Sequence, residues 1–168
     1  KFRSLEEYRD LIRENVEQDL VDIMLMSVSS NEALTICERL FDASHVTPAI
    51  RANDTTDIWF AHGSQYTDQP AQPFHTASID HGMCGKADCQ PSERQLGAGL
   101  GLFSVTFNND VTLDRQMLEA YRDFRFEAEA KGFRHFLEVF DPNVLQSPVP
   151  DLGRFLNEAL RSVPDIDL

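Results

Sequence analysis

The sequence predicts an α/β fold of parallel strands, and within that class a barrel rather than an open sheet. Two observations predict it. Strand-like and helix-like segments alternate along the chain, an order that calls for parallel strands joined by right-handed crossovers. The strand-like segments also carry polar residues in one phase only, near their carboxyl ends. Strands of an open doubly wound sheet are covered by helices on both faces and read as apolar throughout, whereas one phase of a parallel barrel points inward and its sites gather at the carboxyl ends.

The elements follow in order. Residues 4–20, SLEEYRDLIRENVEQDL, open with Ser4 three positions before Glu7, the spacing of a capping box, and repeat Leu5, Tyr8, Ile12, Val16 and Leu20 on one helical face. VDIMLMSVS from Val21 is a short apolar run that reads as the first strand. Ser29-Ser30-Asn31-Glu32 then cap a helix carrying Leu34, Ile36, Cys37, Leu40 and Phe41. HVTPAIRAN (45–53), GLGLFSVTFNND (99–110) and FRHFLEVF (133–140) are the second, third and fourth strands, with helices at 112–131 and 151–161 after the last two. The longer helix aligns Leu113, Met117, Tyr121, Phe124 and Ala128, and Gly132 sits where a left-handed C-cap belongs. Residues 55–96 interrupt the alternation with Pro70, Pro73, Pro91 and no sustained period, and read as an irregular insertion within one α/β unit spanning 1–168.

Composition bounds the function. Apolar residues at 42% and charged ones at 26% are those of a folded globular chain, and no window approaches the ~18 apolar residues of a membrane span. A net charge of -13 with pI about 4.6 repels phosphate backbones, and no basic stripe offsets it, so nucleic acid is excluded as a partner. Three cysteines, Cys37, Cys84 and Cys89, fit a reducing cytoplasm better than a disulfide framework. Nothing near Lys1 has the basic-then-apolar layout of a signal peptide.

Taken at alternate positions, the strands give Ser27 and Ser29, then Thr47, Arg51 and Asn53, then Ser104, Thr106 and Asn108, and finally Glu138. The opposite phase holds Ile50, Phe103, Val105, Phe107, Leu137 and Val139. The polar set describes a pocket floor for a small-molecule substrate. Glu138 is the candidate catalytic residue, as acid/base or as holder of a catalytic ammonium. Its alternative is a structural carboxylate neutralised by Arg51 or Arg134. Arg51 suits a substrate carboxylate or phosphate, or it neutralises Glu138 or Asp54. Ser27, Ser29, Asn53, Asp54 and Asn108 complete the substrate-binding candidates, although Asn53-Asp54-Thr55 and Asn108-Asn109-Asp110 equally suit turns and caps.

The insertion carries His75, His81, Cys84 and Cys89, all zinc-ligand types. The C-x4-C spacing is loose and no second tight pair accompanies it, so the loop reads as a solvated lid or interface, and neither metal nor cofactor is expected.

SHVTPAIRANDTTDIW, GLFSVTFNND and KGFRHFLEVFDPN resemble, over nearly the whole chain, an uncharacterised bacterial family of predicted aldolase-type TIM barrels, in the class I group of the deoxyribose-phosphate and tagatose-bisphosphate aldolases. The resemblance implies a (β/α)8 barrel that makes or breaks carbon-carbon bonds through a Schiff base between a lysine and a carbonyl substrate. Lys1, Lys86 and Lys131 are the only lysines, and none falls at a strand's carboxyl end. A full barrel typically needs about 250 residues. The expectation is therefore about half of a barrel, four βα units, with the nucleophilic lysine outside this chain; the alternative is a catalytically silent barrel that binds a metabolite or protein partner. Open edges and apolar helix faces imply self-association as a homo-oligomer.

Overall fold

The computed structural model describes residues 3–53, 69–72, 74–75, 77–144 and 149–161. Helix α1, Leu5–Gln18, is capped by Ser4, whose hydroxyl accepts the Glu7 N–H at 3.0 Å, and it ends on Asp19 in the left-handed region. Strand β1, Ile23–Met26, leads into the one-turn helix α2, Val28–Asn31, and a π-helix, Glu32–Cys37. Strand β2 is Thr47–Arg51. Helix α3, Ile79–Cys84, and a 3-10 helix, Pro91–Glu93, precede strand β3, Leu100–Thr106. Helix α4, Val111–Lys131, strand β4, Arg134–Phe140, and helix α5, Leu152–Arg161, complete the order.

The four strands form one parallel sheet in the order β1-β2-β3-β4, each beside its predecessor in the chain. Ile23 pairs with Thr47 and Met26 with Ile50, and Ile50 pairs with Gly101. Helices fall between successive strands, so the chain makes the expected βα alternation.

Two compact units emerge, and β3, α4 and β4 each contribute to both. The first comprises Lys1–Ala52, Thr76–Phe103 and Glu127–Phe136. Its core joins the apolar stripe of α1, Ile12 and Val16, to Met26, Leu34, Phe41 and Val46, with Tyr8, Val21, Met24 and Leu40 packed around them. Burying a side chain of this size contributes roughly 1.5–3 kcal/mol. Two glycines permit close approaches: a Cβ on Gly82 would overlap the Ile50 side chain, and one on Gly101 would lie 2.7 Å from the Phe133 ring. The second unit comprises Asn53–His75, Ser104–Phe126 and Leu137–Leu168. Here Phe107 at the end of β3 meets Phe155 of α5 edge to face, 6.5 Å between centroids. Gln69–Ala71 is stitched down by asparagines: Asn143 Nδ2 donates to the Gln69 carbonyl, Asn143 Oδ1 accepts the Ala71 N–H, and Asn108 Nδ2 donates to the Ala71 carbonyl.

Several boundaries differ from those read in the sequence. The first strand stops at Met26, because Ser27 turns the chain and caps α2. The following helix begins at Val28 and closes at Cys37 after a π turn, with Arg39 at φ 59, so Leu40 and Phe41 lie beyond it. The insertion is not wholly irregular. Ser78 and His81 form a capping box on α3, and Gly85 at φ 75 donates its N–H to the His81 carbonyl to end it.

Candidate functional site

Ser27 and Ser29 do not extend a strand face. Ser27 Oγ accepts the Ser30 N–H at 3.2 Å and lies 3.2 Å from Ser29 Oγ, while the Ser29 carbonyl accepts a hydrogen bond from Arg9. Their job is helix initiation, and the phase argument fails for them because the strand ends one residue before Ser27. Arg51 is the last residue of β2, in the first unit, half-buried near Tyr8. Burial pushes the Tyr8 phenol up, and the Arg51 charge partly offsets that. Asp54 lies outside the described residues.

The remaining candidates meet in the second unit. Asn53 is buried beyond the end of β2, and both ends of its amide are engaged by the backbone of Ser104: Oδ1 accepts the Ser104 N–H at 2.7 Å and Nδ2 donates to its carbonyl at 2.9 Å. The side chain thus acts as one more rung of the β2–β3 ladder, a positioning role rather than the substrate contact the sequence suggested. What it positions is Ser104, whose hydroxyl donates to Glu138 Oε2 at 3.0 Å. Glu138, half-buried on β4, thus has a hydroxyl partner in Ser104.

Two residues further along β3, Thr106 is fully buried, and its hydroxyl has no hydrogen-bond partner among the described residues. The same holds for Oδ1 of Asn108, whose Nδ2 binds the Ala71 carbonyl. Buried polar atoms are nearly always paired, so two orphans at alternate positions, at the carboxyl end of β3 and two residues beyond it, need an explanation. Ser104 and Thr106 share the polar phase with Asn108, and that phase was the signal that could have placed them in the site.

The turn after β3 anchors α4. Asp110 Oδ1 accepts the Thr112 and Leu113 N–H groups as an N-cap, and the Asp114 carboxylate accepts those of Asn108 and Asp110. Burial raises the Asp114 pKa, with those backbone hydrogen bonds pulling the other way.

Lys131 does not have the neutral state a Schiff base needs. Burial presses the Lys131 ammonium down, but hydrogen bonds to Glu127 Oε1 at 2.7 Å and Asp80 Oδ2 at 2.9 Å outweigh it, so its pKa is raised and the amine stays charged. Lys86 is paired with Glu93 Oε1 at 2.5 Å.

A separate groove of about 710 Å³ lies on the helices of the second unit, where Phe107, Leu118, Phe126 and Phe155 form much of its wall and Arg115 and Arg125 border it. Among the described residues, Asn109 lines it, whereas Ser27, Ser29, Arg51, Asn53, Asn108 and Glu138 do not. Among those residues too, no helix is long and apolar enough to cross a membrane. The cysteines depart from expectation: Cys84 and Cys89 are joined as a disulfide with Cα atoms 6.1 Å apart, and Cys37 is free and exposed.

No protein-family model, curated protein or solved structure matches the chain. Fold and geometry thus define a mixed α/β chain built on a four-stranded parallel sheet.

Proposed function

We propose that the chain forms part of an aldolase-type barrel and acts as a carbon-carbon lyase on a small phosphorylated or carboxylated carbonyl compound. The observation that carries the reading is the polar end of β3 and β4: a carboxylate oriented by Ser104 beside a strand whose Thr106 hydroxyl and Asn108 amide oxygen are buried and unpartnered among the described residues. A ligand hydroxyl would donate to the Asn108 oxygen, and a ligand hydroxyl or carbonyl would pair with the Thr106 hydroxyl. The consecutive strand order supports a barrel, because a doubly wound sheet reverses direction at a switch point.

In this reading a lysine outside the described residues condenses with the substrate carbonyl and releases water. Glu138 takes the proton of the substrate hydroxyl as the carbon-carbon bond breaks, and the electron pair passes into the iminium. A reducing cytoplasm and self-association belong to the same proposal.

The test is reductive trapping. Protein from the complete gene is incubated with a panel of small phosphorylated and carboxylated aldehydes and ketones plus borohydride, and its intact mass is measured. A lysine adduct is expected in the parent and in Glu138→Gln alike, with carbon-carbon cleavage at least about tenfold slower in the variant, as from a lost acid/base group. Absence of any adduct across the panel overturns the lyase reading.

The groove favours a second reading, a silent barrel that binds a metabolite. Its volume lies within the roughly 300–1,000 Å³ of ligand pockets. This reading predicts ligand binding that survives Glu138→Gln with no turnover in the parent.

A further inference from the structure

We propose that in the reduced chain Cys84, Cys89 and Glu93 form a zinc site, occupied in place of the disulfide that the same two cysteines form when oxidised. One donor atom from each residue lies within 4.8 Å of the other two. A tetrahedral zinc, at about 2.3 Å from sulfur and about 2.0 Å from oxygen, holds its donors roughly 3.5–3.8 Å apart, so the two sulfurs must separate once their bond is reduced while the Glu93 carboxylate closes in. Two thiolates with one carboxylate are donors that suit zinc better than magnesium or calcium, which favour oxygen alone.

The scaffold is built before any metal arrives. Cys84 ends α3 and Gly85 reverses the chain, bringing Cys89 back to it, and both cysteines are nine-tenths or more buried. The Gly97 N–H binds the Met83 carbonyl at 2.7 Å, and Asn31 clamps the same segment from both sides, Nδ2 to the Gly82 carbonyl and Oδ1 from the Ala98 N–H. Glu93 is aimed by the Gln90 N–H on Oε2, the kind of outer hydrogen bond that orients ligating carboxylates. Two thiolates and a carboxylate exceed a divalent cation by one negative charge, and the Lys86 ammonium on Glu93 offsets it. Three protein donors leave the fourth position to water.

Loading is zinc plus two thiols giving the dithiolate complex and two protons. Oxidation by a small-molecule disulfide transfers two electrons from the thiolates to the oxidant. The Cys84–Cys89 bond forms, the zinc ion leaves, and two small thiolates are released. This site is independent of the lyase reading, since it lies in the other unit.

The experiment uses the full chain carrying Cys37→Ser, which removes the exposed third thiol. It is reduced, then titrated with cobalt(II) as a spectroscopic probe and with zinc against a chromophoric chelator. Expected are one metal per chain, sulfur-to-cobalt charge-transfer absorption, loss of both after oxidation by a small disulfide, and zinc affinity weakened at least ~10-fold in Glu93→Gln. Absence of charge-transfer absorption, or retention of the metal after oxidation, overturns the site without reliance on any ligand variant. Unchanged affinity in Glu93→Gln overturns the carboxylate's place in it.

Discussion

Replacing Asn53 by alanine removes the side chain that holds the end of β2 to β3. Both backbone groups of Ser104 then lose a hydrogen bond, and Ser104 is fully buried, so water cannot replace it. A buried donor or acceptor left unpaired costs about 1–3 kcal/mol, which for the pair gives roughly 2–6 kcal/mol. That is a large share of the ~5–15 kcal/mol stability of an ordinary domain. Urea unfolding followed by far-UV circular dichroism measures it. Asn53→Asp adds a second reading of the same geometry. One carboxylate oxygen still accepts the Ser104 N–H, but the other faces the Ser104 carbonyl, which only a protonated carboxyl satisfies. Its folded pKa should therefore rise above the unfolded value of about 3.9, and the variant should regain stability as pH falls through that raised pKa. An Asn53→Ala chain within about 0.5 kcal/mol of the parent, the spread of ordinary surface substitutions, would refute the ladder role.

Thr106→Val removes an unpartnered buried hydroxyl at nearly constant shape, so it should stabilise the free protein by about 1 kcal/mol while weakening ligand binding, measured by thermal unfolding and calorimetry. Lys131→Met strips the mostly buried Asp80 of its closest cation and should cost about 2–3 kcal/mol, below the full penalty for a buried pair because Lys131 keeps some exposure. Because the Lys131 pKa is raised, its contribution is complete below the ordinary value of 10.5 and fades as pH climbs through the higher folded value, so the parent and Lys131→Met unfolding curves should converge there. Gly101→Ala drives a methyl against the Phe133 ring and should cost about 1–3 kcal/mol by denaturant unfolding.

Much of the scaffold is legible in the sequence because its signals are local. The Ser4 cap, the α1 stripe and Gly132 at φ 67 after α4 each follow from residues within a turn or two of one another. Ser27 was misleading because a serine after an apolar run fits both a strand phase and a helix cap, and only the backbone decides. Nothing in Glu32–Cys37 distinguishes a π turn from an ordinary helix, since the two share apolar spacing over so short a span. Asn53 and Asn108 were found at the right end of the strands, but their backbone partners were not. An asparagine amide can bind a ligand or a backbone, and its partners, Ser104 and Ala71, come from distant segments. The pairing of Cys84 with Cys89 and the approach of Glu93 depend on the Gly85 reversal and on a scaffold tied to Asn31, far upstream.

The central claim is that a small carbonyl compound binds at the polar ends of β3 and β4. Crystals of the protein soaked with dihydroxyacetone phosphate, a small phosphorylated carbonyl probe that also carries a hydroxyl, test it most directly. The account predicts ligand density with oxygen atoms within hydrogen-bond distance of Thr106 Oγ1 and Asn108 Oδ1 and beside Glu138. Density confined to the α4–α5 groove, with Thr106 and Asn108 paired to protein atoms, would contradict it.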